Sequence, residues 1–413
     1  MPVYFYKKLT LIILLGLIAR AIAIFIYADP YVDGEWGILL DNLLQNEILS
    51  VRSVDGVPVP NIFMPPLYPL FLYLVKLLIT NLEIFLNVIF SIHLILAILS
   101  IIIVHKIFLE IFNPRISFIG TAVFALFPLN IYAVSQISSI TLQIFLINIF
   151  LFSCIKLIKK MNYKNIFLFS ISSAMLILLR GEFFIFVILT LIYLQLKHNQ
   201  KIKILITALI IIITISPYLY RNYNIFGVIT VTKSSGYNLL KGNNPRTVVE
   251  GIPMFLNVER VIPETKEKLN NLYIKGPIKK HDLFKDQILL DQAIEFIKME
   301  PTRYTKLYVK KFLSFIFIDF NSTYPKYYSV LHLLPKIILS IFTIVGVILI
   351  FNLKMNIANY VTMFYFSNIG LFSFFFILPR YSLSLLTIQI ILSLYVVEKI
   401  LKKFNTSKNE KNN

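Results

Sequence analysis

The stretch ADPYVDGEWGILLDNLL, residues 28–44, places Asp29, Asp33, Glu35 and Asp41 directly after an apolar run. A carboxylate held against a membrane surface can act as a general base: low dielectric raises its pKa, while a neighbouring arginine keeps it ionised. Asp33 and Glu35 are the first candidates. Being two apart, they would point in different directions on a helix, so one of the pair faces a given pocket. Solvation of an outer loop is the competing account of any single carboxylate. Cation binding is a second chemical use of a D-x-E pair, although the loop offers no clear oxygen cage for a divalent ion.

Four arginines at or near membrane depth point to an anionic ligand. Arg20 lies inside the first apolar run, Arg180 between two runs, Arg221 just after SPYLY, and Arg380 in ILPRYSL. A buried arginine is costly, so it is usually paired or lines a cavity. Guanidinium groups suit a lipid phosphate, which they grip bidentately. Each taken singly could instead be a snorkelling anchor.

These residues need a scaffold, and composition identifies its solvent. Of the 413 residues, 57% are hydrophobic and 15% charged, and the mean hydropathy is +0.77. Apolar runs of about 18 or more residues recur, enough to cross roughly 30 Å of hydrocarbon. The fold class read from this is an all-α polytopic membrane protein. The net charge of +19 gathers at helix ends, as anionic headgroups require, which argues against nucleic-acid binding. Cys154 is the single cysteine, so no intramolecular disulfide forms, and the five histidines lack ligand spacing.

The expected spans are 9–28, 84–109, 116–134, 138–156, 164–179, 182–196, 203–220, 331–351, 357–378 and 380–398. Lys7 and Lys8 precede the first, which reads as a retained span and not a cleaved signal. With these lysines inside, every basic short loop falls on the cytoplasmic side, as does the basic tail 401–413. Arg180, Arg221 and Arg380 then reach the outer face, with Arg20 within reach of it. Residues 66–80 and 307–320 are short and carry interior lysines, so they are expected as outer interfacial helices. Counting them as spans would raise the total from ten to eleven or twelve. The domain plan is an N-terminal membrane module (1–220) with its first outer loop at 29–65, an outer cap (221–306) with helical periodicity, and C-terminal membrane helices (307–400). No repeat of 20–50 residues is visible, which lowers the expectation of a secondary transporter.

Four stretches, in this order, resemble the GT-C superfamily of polyprenyl-phosphate-sugar-dependent glycosyltransferases. They are Asp33 followed by Trp36, PPLYPLFLYL (65–74), SPYLYRNYNIFGVITVTKSSGYNLLKGNNP (216–245) and LPRYSL (378–383). The resemblance is to bacterial relatives of the protein O-mannosyltransferases and the lipid A aminoarabinose transferase. It implies an inverting transfer of a sugar from a polyprenyl phosphate to a hydroxyl of a lipid, glycan or protein. It makes Asp33 the base on the acceptor, with Glu35 as second candidate, and puts Arg221, Arg380, Tyr381 and Arg20 at the donor phosphate. Trp36, Tyr68, Arg180, Asn222, Tyr237, Asn238, Asn243 and Asn244 are the substrate-binding candidates. The implied location is a bacterial inner membrane, with a periplasmic site. No cofactor is assigned, and a divalent cation stays open.

The chain departs from the family at two places. Gln143 stands where the family often has a glutamate, and Met64-Pro65-Pro66 where the aminoarabinose branch has Lys-Pro-Pro. The second argues against an aminoarabinose donor and lipid A acceptor. A lipid-linked-glycan flippase, a polysaccharide polymerase or ligase, and a non-catalytic membrane protein are the rival classes.

Overall fold

The computed structural model describes residues 3–250, 263–275, 278–319, 330–350 and 356–410. Part of the expected cap, 251–262, lies outside the described residues. The chain is a helical polytopic membrane protein. Its membrane part contains α1 (Val3–Tyr27), α4 (Leu82–Ile111), α5 (Pro114–Leu126), α6 (Pro128–Tyr132), α7 (Ile140–Lys159), α8 (Tyr163–Leu179), α9 (Phe183–His198) and α10 (Lys201–Phe226). Then come α15 (Val330–Ile350), α16 (Asn356–Ser373) and α17 (Leu386–Glu410), the last preceded by a 3-10 turn at Pro379–Leu385. Each of the ten expected spans overlaps a helix, but the one at 357–378 stops being helical at Ser373, and the one at 380–398 begins in the 3-10 turn. Among the described residues six helices are long and apolar enough to cross alone, whereas α8 and α9 are shorter apolar helices.

The span expected at 116–134 is not straight. It breaks between α5 and α6 by 54°. The cause is Pro128, which cannot donate an N–H and drives the preceding residue out of helical space; Phe127 is extended, with ψ 120°. A break in hydrocarbon frees carbonyls that need new donors. Asn130 donates to the Phe124 carbonyl at 3.0 Å, and Arg20 reaches from α1 to the Ala125 carbonyl at 2.7 Å. The fully buried Arg20 also donates to Gly16 one turn back. Its depth in the first span is therefore used to hold the kink. Replacing Asn130 by Ala should leave a buried carbonyl without a donor, a cost of about 1–3 kcal/mol. Unfolding in detergent should show a lowered midpoint, and an unchanged midpoint would mean that another donor replaces Asn130.

At the other end of the bundle lie the basic loops, where Lys156 and Lys159 pair with Glu110 and Lys203 donates to the Met161 carbonyl. At the end opposite to them stand the remaining elements. The first loop forms α2 (Gly34–Asn46), a hairpin of Ser53–Val54 with Val57–Pro58, and α3 (Leu67–Leu78). The hairpin turns on Asp55 and Gly56 at φ 50° and 81°, the left-handed pair that a two-residue turn demands. The later segment forms α11 (Ser235–Gly242), α12 (Pro263–Lys275), α13 (His281–Met299) and α14 (Pro301–Ile316). A small core of Leu240, Leu269, Leu289 and Ala293 joins α11, α12 and α13. Gly236 lets α11 lie on α13, since a Cβ there would sit 2.0 Å from the Asp286 carbonyl oxygen.

Candidate functional site

A cavity of about 910 Å3 opens at the end of the bundle that carries the first loop. Its walls come from the start of α2, residues 63–65, the turn before α7, the α8–α9 junction, α10, the segment up to Lys241, and residues 371–381.

The acidic wall is Glu35, in the first turn of α2. Asp33 is the N-cap of this helix, with its carboxylate accepting the Gly34 N–H at 2.6 Å. An N-cap residue fixes where the helix begins and hence which side chains face which way. Glu35 and Trp36 line the cavity and Asp33 does not. Trp36 is braced edge-on by Tyr68, 4.9 Å between ring centroids; Tyr68 is fully buried on α3 and supports the wall from behind. Asp29 is drawn aside as well: it accepts the Ile137 N–H at 2.6 Å. Burial, with Asp33 nearby, raises its pKa.

The first loop is fixed to the later outer segment at several points. Arg221 donates to the Asn61 carbonyl at 2.7 Å, and the Lys233 N–H donates to Ile62 at 2.7 Å. Arg52 pairs with the buried Asp282 at 2.9 Å, and Phe63 meets Tyr237 edge-on. Arg221 thus holds the loop and is absent from the cavity wall.

Three cations line the cavity: Arg180, Lys241 and Arg380. Arg180 follows α8; its Nε donates to Gln143 at 3.2 Å and its guanidinium lies over the Tyr381 ring at 5.6 Å. Glu182, also in the wall, stands 3.8 Å from it. Lys241 ends α11, with its ammonium over Phe376 at 4.2 Å and Tyr237 at 5.4 Å. Burial lowers its pKa to about 8, against the pull of Glu35 and with the repulsion of Arg380.

Two distant motifs meet here. Phe376 N–H donates to the Asn238 carbonyl, Asn243 donates to the Phe374 carbonyl at 2.7 Å, and a Cβ on Gly242 would lie 2.4 Å from the Phe375 carbonyl carbon. The buried Lys311 donates to the Gly242 carbonyl from α14. Helix α11, which carries Lys241, and the segment leading to Arg380 are one unit.

The cavity therefore gathers Glu35, Trp36, Arg180, Tyr237, Asn238, Arg380 and Tyr381 from the expected set. It leaves out Asp33, Tyr68, Arg20, Arg221, Asn222, Asn243 and Asn244. Asn222 donates to the carbonyls of Thr230 and Val231, and Asn244 to that of Leu240, so both amides are occupied by backbone. Lys241 and Glu182 were not anticipated. Lys241 lies inside the GYNLLKGNN motif, flanked by Gly236 and Gly242, and Glu182 lies two residues from Arg180.

No protein-family model matches the sequence, and no curated protein matches it. In three dimensions the chain is similar to the archaeal oligosaccharyltransferase AglB from Archaeoglobus fulgidus in complex with an inhibitory peptide and a dolichol-phosphate. The identity is 13% and the TM-score 0.57, covering 99% of this chain and 52% of that one. It is also similar to that enzyme's complex with Zn and sulfate, at 12% identity and TM-score 0.56, over 96% and 50%. At this identity the likeness is one of fold alone. The chain spans about half the length of these structures. Among the described residues, no three His, Cys, Asp or Glu side chains gather into a cation site.

Proposed function

We propose that this protein is a glycosyltransferase of a bacterial inner membrane that uses a polyprenyl-phosphate-linked sugar at the periplasmic face. The acceptor is a hydroxyl of a lipid, glycan or protein. The observation that carries the reading is one cavity, in a GT-C-like fold, with Glu35 on one wall and Arg180, Lys241 and Arg380 on the others. The cavity wall also includes Phe184, Ile185 and Ile229, all exposed apolar residues, which suits a ligand with a hydrocarbon tail. The order of motifs favours the branch related to the protein O-mannosyltransferases.

The chemistry needs few groups. A sugar on a phosphate already carries a good leaving group, so no acid is required to protonate it. One base suffices for a single inverting displacement, unlike the carboxylate pair of a glycosidase. Of the two carboxylates in the cavity wall, Glu182 stands 3.8 Å from Arg180, and Glu35 takes the acceptor's proton. Arg180 and Arg380 face the phosphate, where negative charge accumulates. A flippase would need a path to the opposite face, and this cavity draws its walls from one end of the bundle.

The test is sugar transfer from short-chain polyprenyl-phosphoryl hexoses by the purified protein. Arg380→Lys keeps the charge and loses the planar fork, so kcat/KM for the donor should fall at least about tenfold. Arg115→Lys, at the far end of the bundle, should stay close to wild type. Equal activities of the two variants would remove Arg380 from the phosphate.

A further inference from the structure

We propose that Lys241 is a counter-ion shared by two groups whose charges change in opposite senses during transfer: Glu35 before the reaction and the departing phosphate after it. The inference rests on the glycosyltransferase reading above and assigns a residue that the sequence motifs did not.

The placement carries the argument. Lys241 projects from the last turn of α11 into the cavity that Glu35 and Arg380 also line, and its charge feels the attraction of the first and the repulsion of the second. Its ammonium is held over the Phe376 and Tyr237 rings, contacts that favour a cation. The two residues after it are held in place, Asn243 by its bond to the Phe374 carbonyl and Gly242 by the Lys311 ammonium on its carbonyl. The other charges facing the cavity are Arg180 and Glu182, which face each other. Lys241 thus shares one cavity with the proposed base and the proposed phosphate-binding arginine.

The charge balance of the step shows what such a cation does. The acceptor oxygen bonds to the anomeric carbon, the anomeric carbon–phosphate oxygen bond breaks, and its electron pair stays on the phosphate. The acceptor's proton goes to Glu35. Before the step Glu35 and the phosphodiester each carry one negative charge; afterwards Glu35 is neutral and the phosphate monoester carries two. Total charge is conserved but moves from the base to the leaving group. Lys241, in the same cavity, offsets the negative charge of Glu35 before the step and that of the phosphate dianion after it. No group has to move for this, which is the economy of a preorganised site.

The consequence is selective. Lys241 should strengthen binding of the product dianion more than that of the donor monoanion. The experiment measures affinities of the purified protein for farnesyl phosphate and for a farnesyl-phosphoryl hexose, with transfer assayed in parallel. At pH 7 a phosphate monoester is largely dianionic, its second ionisation lying near pH 6. Lys241→Gln should weaken farnesyl phosphate about tenfold more than the diester, and Lys241→Arg should retain the preference. In wild type the preference should fade as pH rises through about 8, where Lys241 loses its proton; at pH 9 wild type and Lys241→Gln should coincide. Equal weakening of both ligands by Lys241→Gln, with wild type active, would overturn the shared counter-ion and leave the glycosyltransferase reading intact. Wild type that neither binds these ligands nor transfers sugar would overturn that reading and the inference with it.

Discussion

Replacing Glu35 by Gln should lower sugar transfer at least about a hundredfold, the usual worth of a general base, while Asp33→Asn should remain within about threefold of wild type. The contrast follows from the start of α2. Asp33 caps the helix, and asparagine caps as well as aspartate, so Asp33→Asn preserves the phase of the helix and the aim of Glu35. Asp33→Ala removes the cap and should cost about 1 kcal/mol in stability, with a moderate loss of turnover. Glu35→Gln keeps size and polarity but cannot accept a proton at neutral pH. Donor affinity should stay near that of wild type, because the residue acts on the acceptor. The measurement is single-turnover transfer at saturating donor, with thermal unfolding of each variant alongside. An inactive Asp33→Asn beside an active Glu35→Gln would return the base to Asp33, as the family resemblance alone had it.

The second large effect concerns Gly242. A Cβ there would lie 2.4 Å from the Phe375 carbonyl carbon and 2.6 Å from the Phe376 nitrogen. Both neighbours are backbone and cannot swing aside like the end of a flexible side chain. Gly242→Ala should therefore push α11 away from the segment leading to Arg380, at a cost of about 1–3 kcal/mol from overpacking. Transfer should fall much further than stability, because Lys241 and Arg380 lose their common register. Gly34→Ala is the informative comparison. Gly34 is also conformationally special, at φ +56°, yet nothing lies within 4 Å of its Cβ position. That variant should show a modest stability loss from the left-handed backbone alone. Similar losses of activity in the two variants would argue against a shared register.

The membrane helices were legible because an apolar run of span length has few other fates in a polar solvent. The kink at Phe127 was equally present in the sequence, as Pro128, but apolar length outweighed it when the span was drawn as one piece. Asp33 and Glu35 show a different limit. Alternation says that one of two residues two apart faces a pocket, and only the position of the helix start decides which one. The deep arginines were rightly singled out as costly, yet cost alone does not distinguish a ligand from a carbonyl. Arg20 and Arg221 give their N–H groups to backbone oxygens, Arg380 lines the cavity, and nothing in local spacing separates them. Three asparagines of the 216–245 motif, Asn222, Asn243 and Asn244, likewise lie outside the cavity wall, whereas Asn238 lines it. Irregular backbone beside a membrane has many carbonyls to satisfy, and Asn222, Asn243 and Asn244 supply those donors. Lys241 carries no local signal in the sequence; only the fold brings Phe376 beneath its ammonium.

The joining of residues 238–243 to 374–377 bears on how such a protein could be altered. The backbone and amide bonds, together with the parallel bridge between Glu250 and Ile377, make a splint across more than a hundred residues of chain. Anyone wishing to graft a new donor preference by exchanging the 234–245 loop would transplant half of a fitted pair. The recipient's 371–381 segment would meet a foreign partner at contacts with no slack, and the two cations would be misaligned before any sugar was presented. Exchanges that carry both segments together keep the splint whole, so recombination across this protein should tolerate breakpoints outside the two segments and reject those that separate them.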